Sequence, residues 1–185
     1  IIPATENMPS GGAMRPGDIV KASNGKTIEI LNTDAEGRLT LADGLHYACK
    51  LKPDFVLDLA TLTGAVVVGL GEEIAGIMSN DARFSNDLLT AASKTGEKFW
   101  EMPLEPRYRP LLESSIADLR NISKTRYGGS LTAGLFLQEF VAENIKWTHI
   151  DIAGPAYAER PLTNYIGVGG TGFGVRTILQ WLKSF

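Results

Sequence analysis

Apolar positions along this chain recur in two rhythms. Where they return every third or fourth residue, a helix with one buried face is expected. Leu41, Leu45 and Cys49 recur this way and predict a helix over about 38–51, which Pro53 stops. A second helix is expected over about 82–96, capped by Asn80 or Asp81 and ended by Gly96. A third spans Leu131–Ala142, with Leu135, Phe136 and Phe140 on one side. The last, about 174–184, buries Val175, Ile178, Leu179 and Leu182. Elsewhere the pattern is that of strands. Two β-branched runs, Ile19-Val20 and Thr27-Ile28-Glu29-Ile30, flank Asn24-Gly25 and predict a hairpin over Asp18–Leu31. Phe55–Ala60 is nearly continuous in apolar residues, as in a central strand covered on both faces. Ile74–Met78 reads as a short strand, and Trp147–Ala153 as another, with Trp147, His149 and Asp151 on one face.

The remaining segments are punctuated by Gly and Pro. Residues 1–5 read as the end of an apolar strand, and 6–17 as loop. Thr61-Leu62-Thr63-Gly64 leaves the apolar strand, and a short helix starts over 65–70. Residues 102–110 are loop or broken turn, 111–119 a short helix, 120–130 a polar surface loop, and 154–174 a Gly- and Pro-rich loop. Strands alternate with helices, so the expected fold is α/β, in three α-β-α layers around a mixed sheet.

Composition narrows the function. An apolar fraction of 44% in 185 residues supports a packed core. A net charge of −3 argues against a nucleic-acid partner, which needs a basic face. The single cysteine, Cys49, rules out an internal disulfide framework and suits a reducing, cytoplasmic setting. No apolar run reaches the roughly 18 residues of a membrane span. The chain opens Ile1-Ile2-Pro3-Ala4, with no initiator Met and no signal-like segment, as expected of a fragment or processed product that begins within a domain.

The chemistry concentrates in Asn32-Thr33-Asp34-Ala35-Glu36-Gly37-Arg38-Leu39. On an extended segment running into a helix, Asp34, Glu36 and Arg38 would face one way. Two hard oxygen ligands and a guanidinium aimed at one point suit a metal or anion site. Other patterns fail on context. Gly167–Gly172 fits G-x-G-x-x-G, but only 13 residues follow it, leaving no room for the strand and acidic residue of a dinucleotide site. The spacing of Asn32, Asp34, Glu36, Gly37, Leu39 and Asp43 imitates a calcium loop, but a hairpin precedes it and no second loop pairs with it. His149 has no G-x-S-x-G serine partner. Cys49 reads as a core helix residue, and Asp58 and Asp151 as structural.

The octapeptide N-T-D-A-E-G-R-L resembles the signature of the leucyl aminopeptidase (cytosol aminopeptidase) family. Further segments resemble the same family in order: Glu6-Asn7-Met8-Pro9 with Arg15–Asp18, Ala60–Ala65, Ala117-Asp118-Leu119 with Asn121, and His149–Gly154. The resemblance covers essentially the whole chain. It implies a two-metal aminopeptidase that releases N-terminal residues from peptides, leucine preferred. The metals are zinc or manganese, with magnesium tolerated. By resemblance Asp34 and Glu36 are metal ligands, with Glu36 bridging, and Arg38 holds a bicarbonate that acts as general base. Thr61, Leu62 and Gly64 match substrate-binding positions, and Ala153 and Ala156 the apolar pocket for the first side chain. The family assembles as cytoplasmic homo-hexamers, and residues 120–130 and 154–174 are candidates for interface or gate.

Two ions need more ligands than this chain offers at the motif. The resemblance places the other ligands, a lysine and two aspartates, and a second catalytic lysine upstream of residue 1. Residues 1–185 are therefore expected to be the C-terminal part of a di-metal catalytic domain. The alternative is a catalytically incomplete fragment that serves only as a folded or interaction domain.

Overall fold

The computed structural model describes residues 1–185. In chain order the elements begin with β1 (Ile19–Lys21), β2 (Thr27–Glu29), α1 (Gly37–Lys50), β3 (Phe55–Ala60) and α2 (Gly64–Leu70). β4 (Ile74–Ser79), α3 (Ala82–Thr95) and β5 (Lys98–Glu101) follow, and then a 3-10 helix over Pro106–Leu112. β6 (Leu119–Arg120), α4 (Gly129–Gln138), β7 (Lys146–Asp151), β8 (Tyr157–Ala158), β9 (Gly169–Gly170) and α5 (Val175–Leu182) complete the chain. It divides into two units: Ile1–Val56 with Glu105–Ile145, and Leu57–Leu104 with Lys146–Phe185.

In the first unit the hairpin forms as expected. β1 and β2 pair antiparallel with Ile19 opposite Glu29. The turn needs Gly25 at φ +93°, where side chains are strained. β6 joins β2 in parallel register. α4 is the core: Ser130 and every residue from Thr132 to Leu137 are buried. A helix buried on nearly every side has no solvent face to offer. This corrects the expectation of one apolar side built on Leu135, Phe136 and Phe140. α1 and the 3-10 helix pack against α4. On α1 the buried stripe is Arg38, Ala42, Leu45 and Cys49, and the Cys49 sulfur accepts the Ala142 N–H at 3.5 Å. Cys49 is therefore a core residue, as its spacing predicts. The Glu139 carboxylate pairs with both Lys26 and Arg109, and its carbonyl accepts from Lys26 Nζ at 3.2 Å. That cluster ties the hairpin to the end of α4.

The second unit is built on a sheet of order β3-β7-β4-β5. β4 runs parallel to β5 and antiparallel to β7, so the sheet is mixed. The α/β class stands. On β4, a Cβ at Gly76 would lie 2.8 Å from Met102 Sδ and 3.0 Å from Val66 Cγ2, so packing there excludes a side chain. The Asp81 carboxylate caps α3 by accepting the Phe84 N–H at 2.7 Å, and Gly96 ends the helix at φ +75°. α3 packs on α5, with Phe84 and Trp181 rings 5.2 Å apart.

Five expectations change. Within residues 1–185, Phe55–Ala60 ends the strand order of its sheet and is mostly half-buried rather than covered on both faces. Ile1 and Ile2 are exposed and form no strand. Residues 111–119 end the 3-10 helix and enter β6 rather than forming a helix of their own. The loop 154–174 contains an antiparallel pairing of β8 with β9. On α5 the buried residues are Thr177 and Trp181, while Val175, Leu179 and Leu182 are exposed. The cause is Glu97, a buried carboxylate that accepts from Gly174 N (3.0 Å), Thr177 N (2.9 Å) and Thr177 Oγ1 (2.6 Å). It turns the polar Thr177 inward, against the apolar pattern.

Candidate functional site

In the first unit the acidic residues lie in a turn, not on an extended strand. Asn32 Oδ1 accepts the Asp34 N–H at 2.9 Å, closing an Asx turn, and Glu36 already has helical dihedrals at the start of α1. The i, i+2, i+4 alternation expected for Asp34, Glu36 and Arg38 does not hold. The turn still brings Asp34 and Glu36 together. Both line one groove of about 470 Å³ beside Asn7, Met8 and Arg15. Neither carboxylate makes a hydrogen bond or ion pair, although both stand at the helix end whose partial positive charge favours anions.

Arg38 does not line that groove. It is only 8% exposed, donates from Nη1 to the Asn121 carbonyl at 2.8 Å, and lies 5.9 Å over the Phe136 ring. Asn121 is the organiser that pattern reading does not assign. It is fully buried, and Oδ1 accepts from Leu31 N at 2.8 Å while Nδ2 donates to the Asn32 carbonyl at 2.6 Å. One side chain thus holds the start of the octapeptide while its carbonyl holds Arg38. The signal for it is its place after Ala117-Asp118-Leu119 in a family-like segment. Asp43, the last position of the calcium-loop pattern, accepts the Ser23 N–H at 2.8 Å and is engaged in the fold.

In the second unit Thr61, Leu62 and Gly64 sit between β3 and α2, and Ala153 and Ala156 follow β7. Thr61 and Gly64 are exposed; Leu62, Ala153 and Ala156 are half-buried. Asp151 draws the two segments together. Its Oδ1 accepts from Leu62 N at 3.1 Å and Ala153 N at 3.2 Å, and its Oδ2 accepts from Thr63 Oγ1 at 2.7 Å. Thr63 in turn caps α2 through Val66 N at 3.1 Å. A Cβ at Gly154 would come 2.3 Å from the Gly71 carbonyl oxygen, so the turn after Ala153 admits only glycine. His149 is fully buried with Nδ1 2.6 Å from Asp58 Oδ1, and Trp147 donates to Asp58 Oδ2 at 2.7 Å. Asp58 and Asp151 are structural, as read from the sequence. The Gly-rich stretch 167–172 contributes β9 and positive φ at Gly169 (+116°) and Gly172 (+67°).

For a metal, the donor chemistry of Asp34 and Glu36 fits: two hard anionic oxygens with no competing partner. Their number falls short, because no three His, Cys, Asp or Glu side chains gather into a metal-holding group.

Comparison with known proteins agrees. Residues 1–179 match the family model described as "Cytosol aminopeptidase family, catalytic domain". A probable cytosol aminopeptidase of Prochlorococcus marinus subsp. pastoris is 55% identical over 184 residues, covering 100% of this chain and 37% of that protein. One from Picosynechococcus sp. is 58% identical over 181 residues, covering 98% and 36%. Among solved structures, a tomato leucine aminopeptidase mutant superposes with a TM-score of 0.92 at 46% identity, over 98% of this chain and 35% of that one. The bottromycin maturation enzyme BotP in complex with Mn gives 0.92 at 44% identity, over 96% and 40%. The chain thus spans little more than a third of the length of the curated relatives it matches. With the octapeptide, the α/β fold and a match along nearly its whole length, the chain belongs to the cytosol aminopeptidase family.

Proposed function

We propose that the full-length protein containing this chain is a cytoplasmic metal-dependent aminopeptidase, homo-hexameric, that releases N-terminal residues from peptides with leucine preferred. The observation that carries this reading is the pair of unengaged carboxylates, Asp34 and Glu36, sharing one groove within the octapeptide. Asp34 is exposed and Glu36 half-buried, so the oxygens of both are open to a ligand that reaches the groove. Here Asp34 and Glu36 would hold two divalent cations, zinc or manganese, together with ligands from outside residues 1–185. Such ions, when bound, bring the pKa of a coordinated water toward neutrality. The structural neighbour BotP is in complex with Mn, which supports the choice of metal.

The other residues bind and orient. Arg38 carries the planar guanidinium that suits a bicarbonate, held as general base. Its packing on Phe136 and its bond to Asn121 remove its rotamer freedom in advance. Leu62 and Gly64 offer backbone groups to the substrate, and Thr61 is exposed beside them. Ala153 and Ala156 carry only methyl groups, which leaves room for a branched first side chain.

The shortfall in ligands favours a second statement about residues 1–185 in isolation: they bind metal weakly and do not hydrolyse leucine amides. The test compares full-length protein with the 185-residue chain on leucinamide. Chelation is expected to abolish release by the full-length protein and Mn²⁺ or Zn²⁺ to restore it. Glu36→Ala is expected to lower it by about 100-fold or more. Metal-independent release, or full activity in Glu36→Ala, overturns the proposal. Metal-dependent release by the 185-residue chain, lost in Glu36→Ala, overturns the second statement.

A further inference from the structure

We infer that Asp151 is a specificity-determining positioning residue that sets the register between the substrate-backbone segment, 61–64, and the first-side-chain pocket at Ala153 and Ala156. This rests on the aminopeptidase reading above and names a residue that reading does not use.

The geometry is that of a clasp. Asp151 ends β7 and is 0% exposed. β3 and β7 are neighbours in the sheet, and Ile152 N donates to the Ala60 carbonyl at 2.8 Å just where both strands run out. Beyond that bond the backbones diverge into two loops with no further direct backbone bond between them. What spans the gap is one carboxylate. It collects the N–H groups of Leu62 (3.1 Å), Thr63 (3.4 Å) and Ala153 (3.2 Å) on Oδ1 and the Thr63 hydroxyl (2.7 Å) on Oδ2. Thr63 passes the constraint on to α2, whose first turn begins at Gly64. Every position matched to substrate binding in this unit is either bonded to Asp151, as Leu62 and Ala153 are, or lies within three residues of one that is.

The chemistry explains why this position requires an acid. Four donors converge and no acceptor does, so the ligand must be acceptor-only, which an ionised carboxylate is and an amide is not. Charge-assisted bonds to backbone N–H are also stronger than neutral ones. An asparagine would keep the shape but turn an N–H toward Thr63 Oγ1, forcing that hydroxyl to reorient. Displacement of one loop against the other would shift the backbone anchor relative to the pocket. The effect would differ between first side chains that fill the pocket and those that do not.

The experiment uses the full-length, Mn-loaded enzyme and measures kcat and KM on leucine and alanine p-nitroanilides, with metal content and melting temperature in parallel. Asp151→Asn is expected to raise KM for the leucine substrate and to narrow the leucine-to-alanine ratio of kcat/KM by about tenfold, with metal content unchanged. Thr63→Val, which deletes only the hydroxyl, is expected to move the ratio the same way by less, and Thr63→Ser to rescue it. If Asp151→Asn does not fold, the Thr63 pair decides. A ratio that stays within about twofold of wild type in the folded variants, whatever the melting temperature does, overturns the inference. Wild-type enzyme that releases neither amine overturns the aminopeptidase reading itself, and this inference with it.

Discussion

The turn at Asp34 and Glu36 and the clasp at Asp151 both present carboxylates in segments that resemble the family's motifs, and they are opposites. Asp151 is buried and accepts four hydrogen bonds; Asp34 and Glu36 accept none through their side chains. A carboxylate whose lone pairs are filled by backbone N–H groups has nothing left for a ligand. A carboxylate left open beside a helix start keeps its oxygens available to a ligand. The difference teaches where to look for chemistry in this family member: not at the best-connected acid, but at the unconnected ones.

That contrast orders the expected stability effects, all read as thermal denaturation of the full-length protein. Asp151→Ala strands several buried donors at once and is expected to cost about 3–5 kcal/mol. Glu139 comes next. Burial pushes its carboxyl up, but Lys26 and Arg109 more than offset this and hold it below the ordinary value of 4.5. Glu139→Gln is expected to cost about 2 kcal/mol at neutral pH, less than a fully buried pair because both cations are partly solvated. A lowered folded value means this contribution is fully present above about pH 4.5 and is lost as pH falls through the folded value. Wild type should therefore lose stability more steeply than Glu139→Gln below that pH, and parallel curves would remove Glu139 from the engaged class.

The Phe84 N–H, with help from Lys146 3.5 Å away, keeps the Asp81 carboxyl below the usual range. Asp81→Ala is expected to cost about 1 kcal/mol, as an N-cap does. The smallest effect belongs to Asp34→Asn and Glu36→Gln, within about 0.5 kcal/mol of wild type in metal-free protein. A large loss of metal-free stability in either would break the comparison, because it would reveal a structural role for a carboxylate that makes no bond.

Much of this was legible before any coordinates. The hairpin at Asn24-Gly25, the Asp81 cap, the Gly96 stop and the octapeptide are all local signals, carried by residues within a few positions of one another. The errors have a common cause. Val175, Leu179 and Leu182 follow a helical period, but Glu97 decides which face of α5 is buried. Phe55–Ala60 is apolar enough for a sheet centre, but among residues 1–185 only β7 pairs with it. The alternation of Asp34, Glu36 and Arg38 assumed an extended backbone, where Asn32 closes a turn instead.

By itself the sequence determined the family and the α/β alternation, because those depend on composition, short spacing and an eight-residue match. Only the tertiary structure decided which side chains are engaged and which are free. Asn121 lies 83 residues from Arg38, and Asp151 lies 88 from Thr63. No periodicity spans such distances. It takes the folded backbone to bring a carbonyl under a guanidinium, or one carboxylate across two loops, and to leave Asp34 and Glu36 with their oxygens open.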